Sequence, residues 1–171
     1  MNKNQSKIIL IFIFFCNLRL AKKISIIRQI RKSELKAVLN HFSEVVKNMI
    51  ANRLYQWDSQ YPDAETLTND LDRKYAYGYY INGILEGYIA LNEDHEEAYH
   101  TINWKYPNSK SLIVHRLAVK PAFQGKGIAR ALMDFSEQKA KEENYQTIKL
   151  DTFTHNAKAL KLYKDLAYHY A

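Results

Sequence analysis

The sequence has only one cysteine, three prolines and five glycines in 171 residues. A lone thiol, Cys16, cannot close an internal disulfide or build a cysteine-based zinc site. The six histidines show no H-E-x-x-H or other paired spacing, so nothing in the sequence calls for a metal. With 47% hydrophobic and 25% charged residues and so little glycine and proline, collagen-like, low-complexity and largely disordered chains are excluded. What remains is one globular domain, large enough to bury roughly two thirds of its unfolded surface without disulfide staples.

Long apolar runs are also missing. Residues 8–16 form an unbroken run of nine, under half of the roughly 20 that span a bilayer. Lys3 and Lys7 precede it as in a secretory leader, but the chain continues Asn17, Leu18, Arg19, Leu20 with no small-residue cleavage site. Residues 1–22 are therefore set apart as a basic, apolar extension from a domain over 23–171; the expected location is cytoplasmic, and no membrane partner is expected. The formal charge of +7 is concentrated at the same end. Residues 1–36 hold nine Lys and Arg against Glu34 alone, a net +8, so the rest carries −1. A nearly neutral body lacks the clustered cations that release phosphate counterions, and no nucleic-acid partner is expected.

Ile24, Ile26, Ile27 and Ile30 predict a first strand, and Ser33 an N-cap for the helix that follows. Leu35, Val38, Leu39, Phe42, Val45, Val46 and Met49 recur at three- and four-residue spacing, one stripe of that helix. Residues 61–63 open a shorter helix through Leu67, Leu71 and Tyr75. Asn82-Gly83, between two β-rich runs, predicts a two-residue hairpin. Residues 93–111 read as a long loop and 112–119 as a strand. A helix follows over about 127–143, then a strand over 147–153 and a last helix over 156–166. The order strand, helix, helix, hairpin, strand, helix, strand, helix is mixed α/β.

The richest segment joins the 112–119 strand to the next helix through Gln124, Gly125, Lys126, Gly127, Ile128, Ala129 and Arg130. Backbone N–H groups at a helix start lack intrahelical partners, and with two glycines and two cations nearby they suit a phosphate. An ordinary turn using glycine only for backbone freedom reads equally well from these residues alone. A dinucleotide fingerprint would need glycine at Arg130, and a P-loop would need Gly-Lys-Ser or Gly-Lys-Thr, so both fail.

Gln124-x-x-Gly127-x-Ala129, preceded by Leu117-Ala118-Val119-x-Pro121, resembles motif A of the GNAT superfamily of acyl-CoA-dependent N-acyltransferases. Leu150-Asp151-Thr152 resembles that family's fifth strand, and Asn156-x-x-Ala159-x-x-Leu162-Tyr163 the helix after it. The similarity runs from about residue 24 to 170. It implies a mostly antiparallel mixed sheet flanked by helices. It also implies acetyl-CoA as acyl donor, transferred to a primary amine of a small molecule or protein by direct attack in a ternary complex. The backbone of 124–129 would hold the pyrophosphate, and Leu117, Ala118 and Val119 would pair with the pantetheine arm, where a strand N–H near Leu117 would serve the oxyanion. Asn156 would bind near the thiol, and Tyr163 would protonate the leaving thiolate. Asn156 and Tyr163, seven residues apart, share a helical face.

An ammonium cannot attack a thioester, so a base is needed. His115 is the first candidate, since strand alternation predicts the same side as Leu117 and Val119; Glu96 and Glu97 are the alternative base, or a lure for a cation. Arg116 is expected on the opposite side as an ion-pair partner. Where the family ends its last helix with Gly-Phe and adds a strand hairpin, Ala167-Tyr168 stands here and three residues follow. The expectation is a C-terminally shortened protein with an open sheet edge beside the fifth strand, or one completed there by another chain, as in a homodimer, or by its own basic leader. A CoA-binding module without turnover, or an interaction protein on the same scaffold, is the alternative reading.

Overall fold

The computed structural model describes residues 23–95 and 97–171; the extension over 1–22 and Glu96 lie outside the described residues. Five strands form one sheet in the order β1-β2-β3-β4-β5: β1 Ser25–Gln29, β2 Ala76–Ile81, β3 Ile84–Asn92, β4 Ser111–Val119 and β5 Thr147–Leu150. Neighbours are antiparallel except β4 and β5, which are parallel. The helices are α1 Leu35–Ala51, α2 Ala64–Asp72, α3 Ile128–Glu142 and α4 Ala157–Asp165. This is the mixed, mostly antiparallel sheet flanked by helices that the sequence implies.

Alternation along the strands builds two cores. Tyr88, Ala90 and Ala118 pack with Val38 and Phe42 of α1 and Leu67 and Leu71 of α2 on one face. Ile89, Leu91, Val114 and Val119 pack with Ile128, Leu132 and Met133 of α3 on the other, where Leu162 and Tyr163 of α4 join from the margin. Gly87 sets how closely α3 can approach: a Cβ there would lie 2.7 Å from Ile128 Cγ2 and 3.0 Å from Leu132 Cδ1. The start of α3 is thereby seated against β3.

The hairpin turn adopts positive φ at Asn82 and Gly83, as the pair predicts. Two boundaries differ from expectation. Ser33 does not cap α1, because the chain first makes a 3-10 turn over Lys32–Glu34. Glu34 instead accepts from the Arg31 N–H at 3.0 Å, from both Arg28 guanidinium nitrogens and from the Tyr80 hydroxyl. The Arg28 hydrogen bonds, aided by Arg31 and Tyr80, hold its carboxyl at about 2. β5 stops at Leu150 rather than at 153, since β4 offers it no partner beyond Val114. On its other side β5 has no strand among the described residues.

α4 ends on Ala167 at φ +62, whose N–H reaches Lys164 O at 3.0 Å while the Tyr168 N–H reaches Tyr163 O at 2.9 Å. This is the left-handed termination that favours glycine. Ala167→Gly is expected to raise stability by about 1 kcal/mol, the left-handed penalty less the added unfolded-state freedom; an unchanged or lower denaturant midpoint contradicts it.

His41 of α1 is fully buried. Burial, then the nearby Lys120 charge, lowers its pKa to about 4. The unfolded chain takes up a proton near 6.5 that the fold refuses, so this contribution is fully present above that pH and is lost as pH falls toward 4. Stability should therefore drop by up to about 2 kcal/mol between pH 6.5 and 5, before most carboxylates titrate. His41→Leu should flatten that slope in urea unfolding, and parallel slopes would contradict the assignment.

Candidate functional site

The site is made where β4 and β5 part. Their ladder runs from Ser111–Thr147 to Val114–Leu150 and ends there. On its other edge β4 stays paired with β3 up to Gly87–Val119. The residues from His115 to Val119 therefore present one backbone edge to an open fork. Within that stretch the register shifts: Tyr88 and Ala90, two apart on β3, face Ala118 and His115, three apart on β4. The extra residue is a bulge, and Arg116 takes φ +49 to make it.

This bulge overturns the expected facing of His115. Its cross-strand partner Ala90 belongs to the α1/α2 core, and cross-strand partners share a face. Leu117 and Val119 lie on the α3/α4 side. Strand alternation fails because one inserted residue reverses it. Arg116 is an ion-pair partner, as expected, but it too turns toward α2. Its Nε and Nη2 hold the two Asp70 oxygens at 2.7 and 2.6 Å. Asp70 is 1% exposed and also accepts from the Tyr88 hydroxyl at 2.6 Å.

His115 and Arg116 line a cavity of about 460 Å³ with Asp63, Glu65, Asp94 and His95. His115 Nε2 lies 2.9 Å from both Asn92 Oδ1 and the Asp94 carbonyl. A carbonyl can only accept, so Nε2 carries the hydrogen and Nδ1 is left as the basic nitrogen. Burial, then the Arg116 charge, lowers the His115 pKa, against opposing effects of Asp94, Asp151 and Asp70. The imidazole is thus neutral near pH 7. Of the other base candidates, Glu97 is exposed at the start of a 3-10 turn, Glu97–Thr101, and does not line the cavity; Glu96 lies outside the described residues.

On the other side of the fork, residues 124–130 run into α3. Gly125 and Gly127 adopt φ +72 and +84, and a Cβ on either would meet open space. The Gln124 N–H bonds Pro121 O, and the next N–H with a backbone partner is that of Ala131, on Gly127 O at 2.9 Å. Among the described residues, the N–H groups of Gly125, Lys126, Gly127, Ile128, Ala129 and Arg130 have no partner. The side chains are arranged less simply than the sequence suggests. Lys126 folds back onto Ala122 O at 2.7 Å, Ile128 is in the core, and Arg130 is exposed. Gln124 bridges Val119 O at 3.2 Å and Lys158 Nζ at 3.3 Å. The cradle is one of main-chain hydrogens.

Asn156 caps α4, its Oδ1 accepting from the Ala159 N–H at 3.1 Å while Nδ2 donates to Gln56 Oε1 at 2.9 Å. Gln56 had no signal in the sequence. Tyr163 has no hydrogen-bond partner for its hydroxyl among the described residues; burial, then Asp151, pushes its pKa up to about 12. Sequence reasoning also missed Asp151 and Tyr99. The Tyr99 hydroxyl donates to Asp151 Oδ1 at 2.9 Å, just past the end of β5. No three metal-ligating side chains are grouped among the described residues, and no helix there is long and apolar enough to cross a membrane.

The sequence pattern of the acetyltransferase (GNAT) family matches residues 39–168. The chain belongs to that family. Solved GNAT structures share the fold. A GNAT acetyltransferase of Streptococcus agalactiae 2603 aligns with TM-score 0.73 at 25% identity over 86% of each chain. Another, from Listeria monocytogenes 4b F2365, aligns with TM-score 0.73 at 15% identity over 88% of this chain and 92% of that one. The PaiA N-acetyltransferase of Thermoplasma acidophilum, solved in complex with coenzyme A, aligns with TM-score 0.67 at 18% identity over 84% and 88%. No curated protein sequence matches the chain.

Removing one partner of a buried ion pair strands the other charge. Asp70→Ala should therefore destabilise this GNAT domain by about 3 to 5 kcal/mol. A loss below about 1 kcal/mol in urea unfolding would show that Asp70 does not hold the bulge.

Proposed function

We propose that the protein transfers an acetyl group from acetyl-CoA to a primary amine of a small molecule or protein, by direct attack in a ternary complex. The observation that carries this reading is the run of unpartnered N–H groups over 125–130 beside an unpaired stretch of β4. A diphosphate fits the first and an extended amide-bearing arm fits the second, adding to the sheet like a strand. Leu117, Ala118 and Val119 supply that edge, and a strand N–H near Leu117 serves the oxyanion. Gly125 and Gly127 leave room for phosphate oxygens, and Lys126 and Arg130 add positive potential around the turn. Asn156 reaches the arm by exchanging its Gln56 contact for the ligand.

The acceptor cavity supports a cationic substrate. Asp63, Glu65, Asp70 and Asp94 line it, with Arg116 as the one Lys or Arg among its described lining. Such a wall raises the local concentration of an ammonium. Neutral His115, through Nδ1, takes the proton that frees the amine for attack on the thioester carbon. As the carbon–sulfur bond breaks, the nitrogen gives up its remaining extra proton to solvent and Tyr163 donates to the departing sulfur, its phenolate then regaining a proton from solvent. A phenol held near pKa 12 stays protonated at neutral pH and so remains a standing donor. The desolvation that raises it acts equally against a bare thiolate, so burial does not by itself oppose the transfer.

Tyr163→Phe should lower kcat by about 10²-fold in a thiol-release assay while the acetyl-CoA Kd changes by less than about twofold. Unchanged kcat removes Tyr163 from the reaction. Wild-type protein that shows no rise in Tm with acetyl-CoA at about 100 times a micromolar Kd, where about 2.7 kcal/mol is expected, removes the donor itself.

A further inference from the structure

The loop between β3 and β4 is built around aromatic rings. Tyr99 is buried and its ring stacks on His95, centroids 5.7 Å apart and nearly parallel. Trp104 packs against Tyr99 at 5.3 Å, and its indole N–H donates to Tyr99 O at 2.8 Å. Lys149 of β5 lies over the Trp104 ring at 4.8 Å. The loop is thereby tied to β5, and His95, one of its rings, lines the acceptor cavity. The tie that matters chemically is the Tyr99 hydroxyl on Asp151 Oδ1.

Asp151 follows Leu150, and His115 follows Val114, the last bonded pair of the β4/β5 ladder. The two residues therefore stand at corresponding places on the two sides of the fork, one step into the opening. Tyr99 fixes one oxygen of the carboxylate, and the other has no partner among the described residues. The residue is exposed. Its charge is felt both by His115, on the acceptor side, and by Tyr163, on the thioester side. The oriented carboxylate, with one open oxygen, thus stands at the mouth of the fork, on the strand facing that of the candidate base.

We infer that Asp151, oriented by Tyr99, binds the ammonium of the acceptor at the β4/β5 fork and so selects a primary amine in its charged form for delivery to His115. This gives the lure expected of Glu96 or Glu97 to a residue in a different part of the chain, and it rests on the acetyl-transfer reading above. The acceptor class follows from the contact: an ammonium with one N–H free for a carboxylate oxygen and a second for an imidazole nitrogen. Amides, alcohols and hindered tertiary amines do not meet that requirement.

The test is steady-state acetyl transfer with a panel of diamines, aminosugars and peptides bearing a free amino terminus, followed by the same assay on Asp151→Asn with the amine turned over fastest. Asparagine keeps an acceptor for Tyr99 and removes the charge. The amine KM should rise at least tenfold, with the acetyl-CoA KM within about twofold. The dimethylated form of that amine, which keeps one N–H for the carboxylate and forms no stable amide, should inhibit the wild type competitively and Asp151→Asn at least tenfold more weakly. Tyr99→Phe, which releases the carboxylate without removing it, should raise the amine KM by a smaller factor. A wild type active on an amine whose KM and dimethylated inhibitor are unmoved in Asp151→Asn overturns this assignment alone. A wild type that binds acetyl-CoA but acetylates no amine overturns the transfer reading and this assignment with it.

Discussion

The buried pair of Arg116 and Asp70 is the constraint on which the site depends. An arginine in the left-handed region inside an apolar strand is costly in two ways, in backbone strain and in desolvation. Both are offset at one place by two short hydrogen bonds to a carboxylate that is itself satisfied by Tyr88. The bulge so fixed re-aims His115, bends β4 and coincides with the point where β5 loses its partner. The bulge begins one residue past the last β4/β5 pair, so the fork opens where β4 bends.

The opening separates two kinds of surface. One side, below α2, gathers carboxylates around Arg116 and the neutral His115 imidazole. The other, at the start of α3, offers backbone hydrogens. On the proposed reading, anion and cation are received from opposite sides of the fork. The stability of α3's position matters for the same reason. Gly87 lets Ile128 and Leu132 press onto β3, which holds the turn before α3 at a fixed height above the β4 edge.

Much of this was legible in the sequence, because hydrophobic periodicity and turn residues report local constraints. The α1 stripe, the Asn82-Gly83 hairpin and the Gly125 and Gly127 turn follow from spacing alone. The Gln124-to-Ala129 and Asn156-to-Tyr163 patterns carried the family. The facing of His115 was not legible. A bulge needs no glycine when a side chain such as Arg116 is clamped from outside, and its clamp, Asp70, lies 46 residues away on another element. A charged residue next to a histidine in an otherwise apolar strand was the available signal. Gln56, Tyr99 and Asp151 were missed for a related reason: each acts through a partner remote in sequence, joined only when the loops fold over the fork. The end of β5 was misjudged because residues 151–153 have strand character but no strand to pair with among the described residues.

The central claim is that main-chain hydrogens before α3 hold the diphosphate of an acyl-CoA. Heteronuclear NMR of isotope-labelled protein titrated with coenzyme A tests it most directly. The account predicts that the amide signals of Gly125, Lys126, Gly127, Ile128 and Ala129 move together along one saturable binding curve. It is contradicted if those amides stay in place at saturating coenzyme A, whether or not signals elsewhere respond.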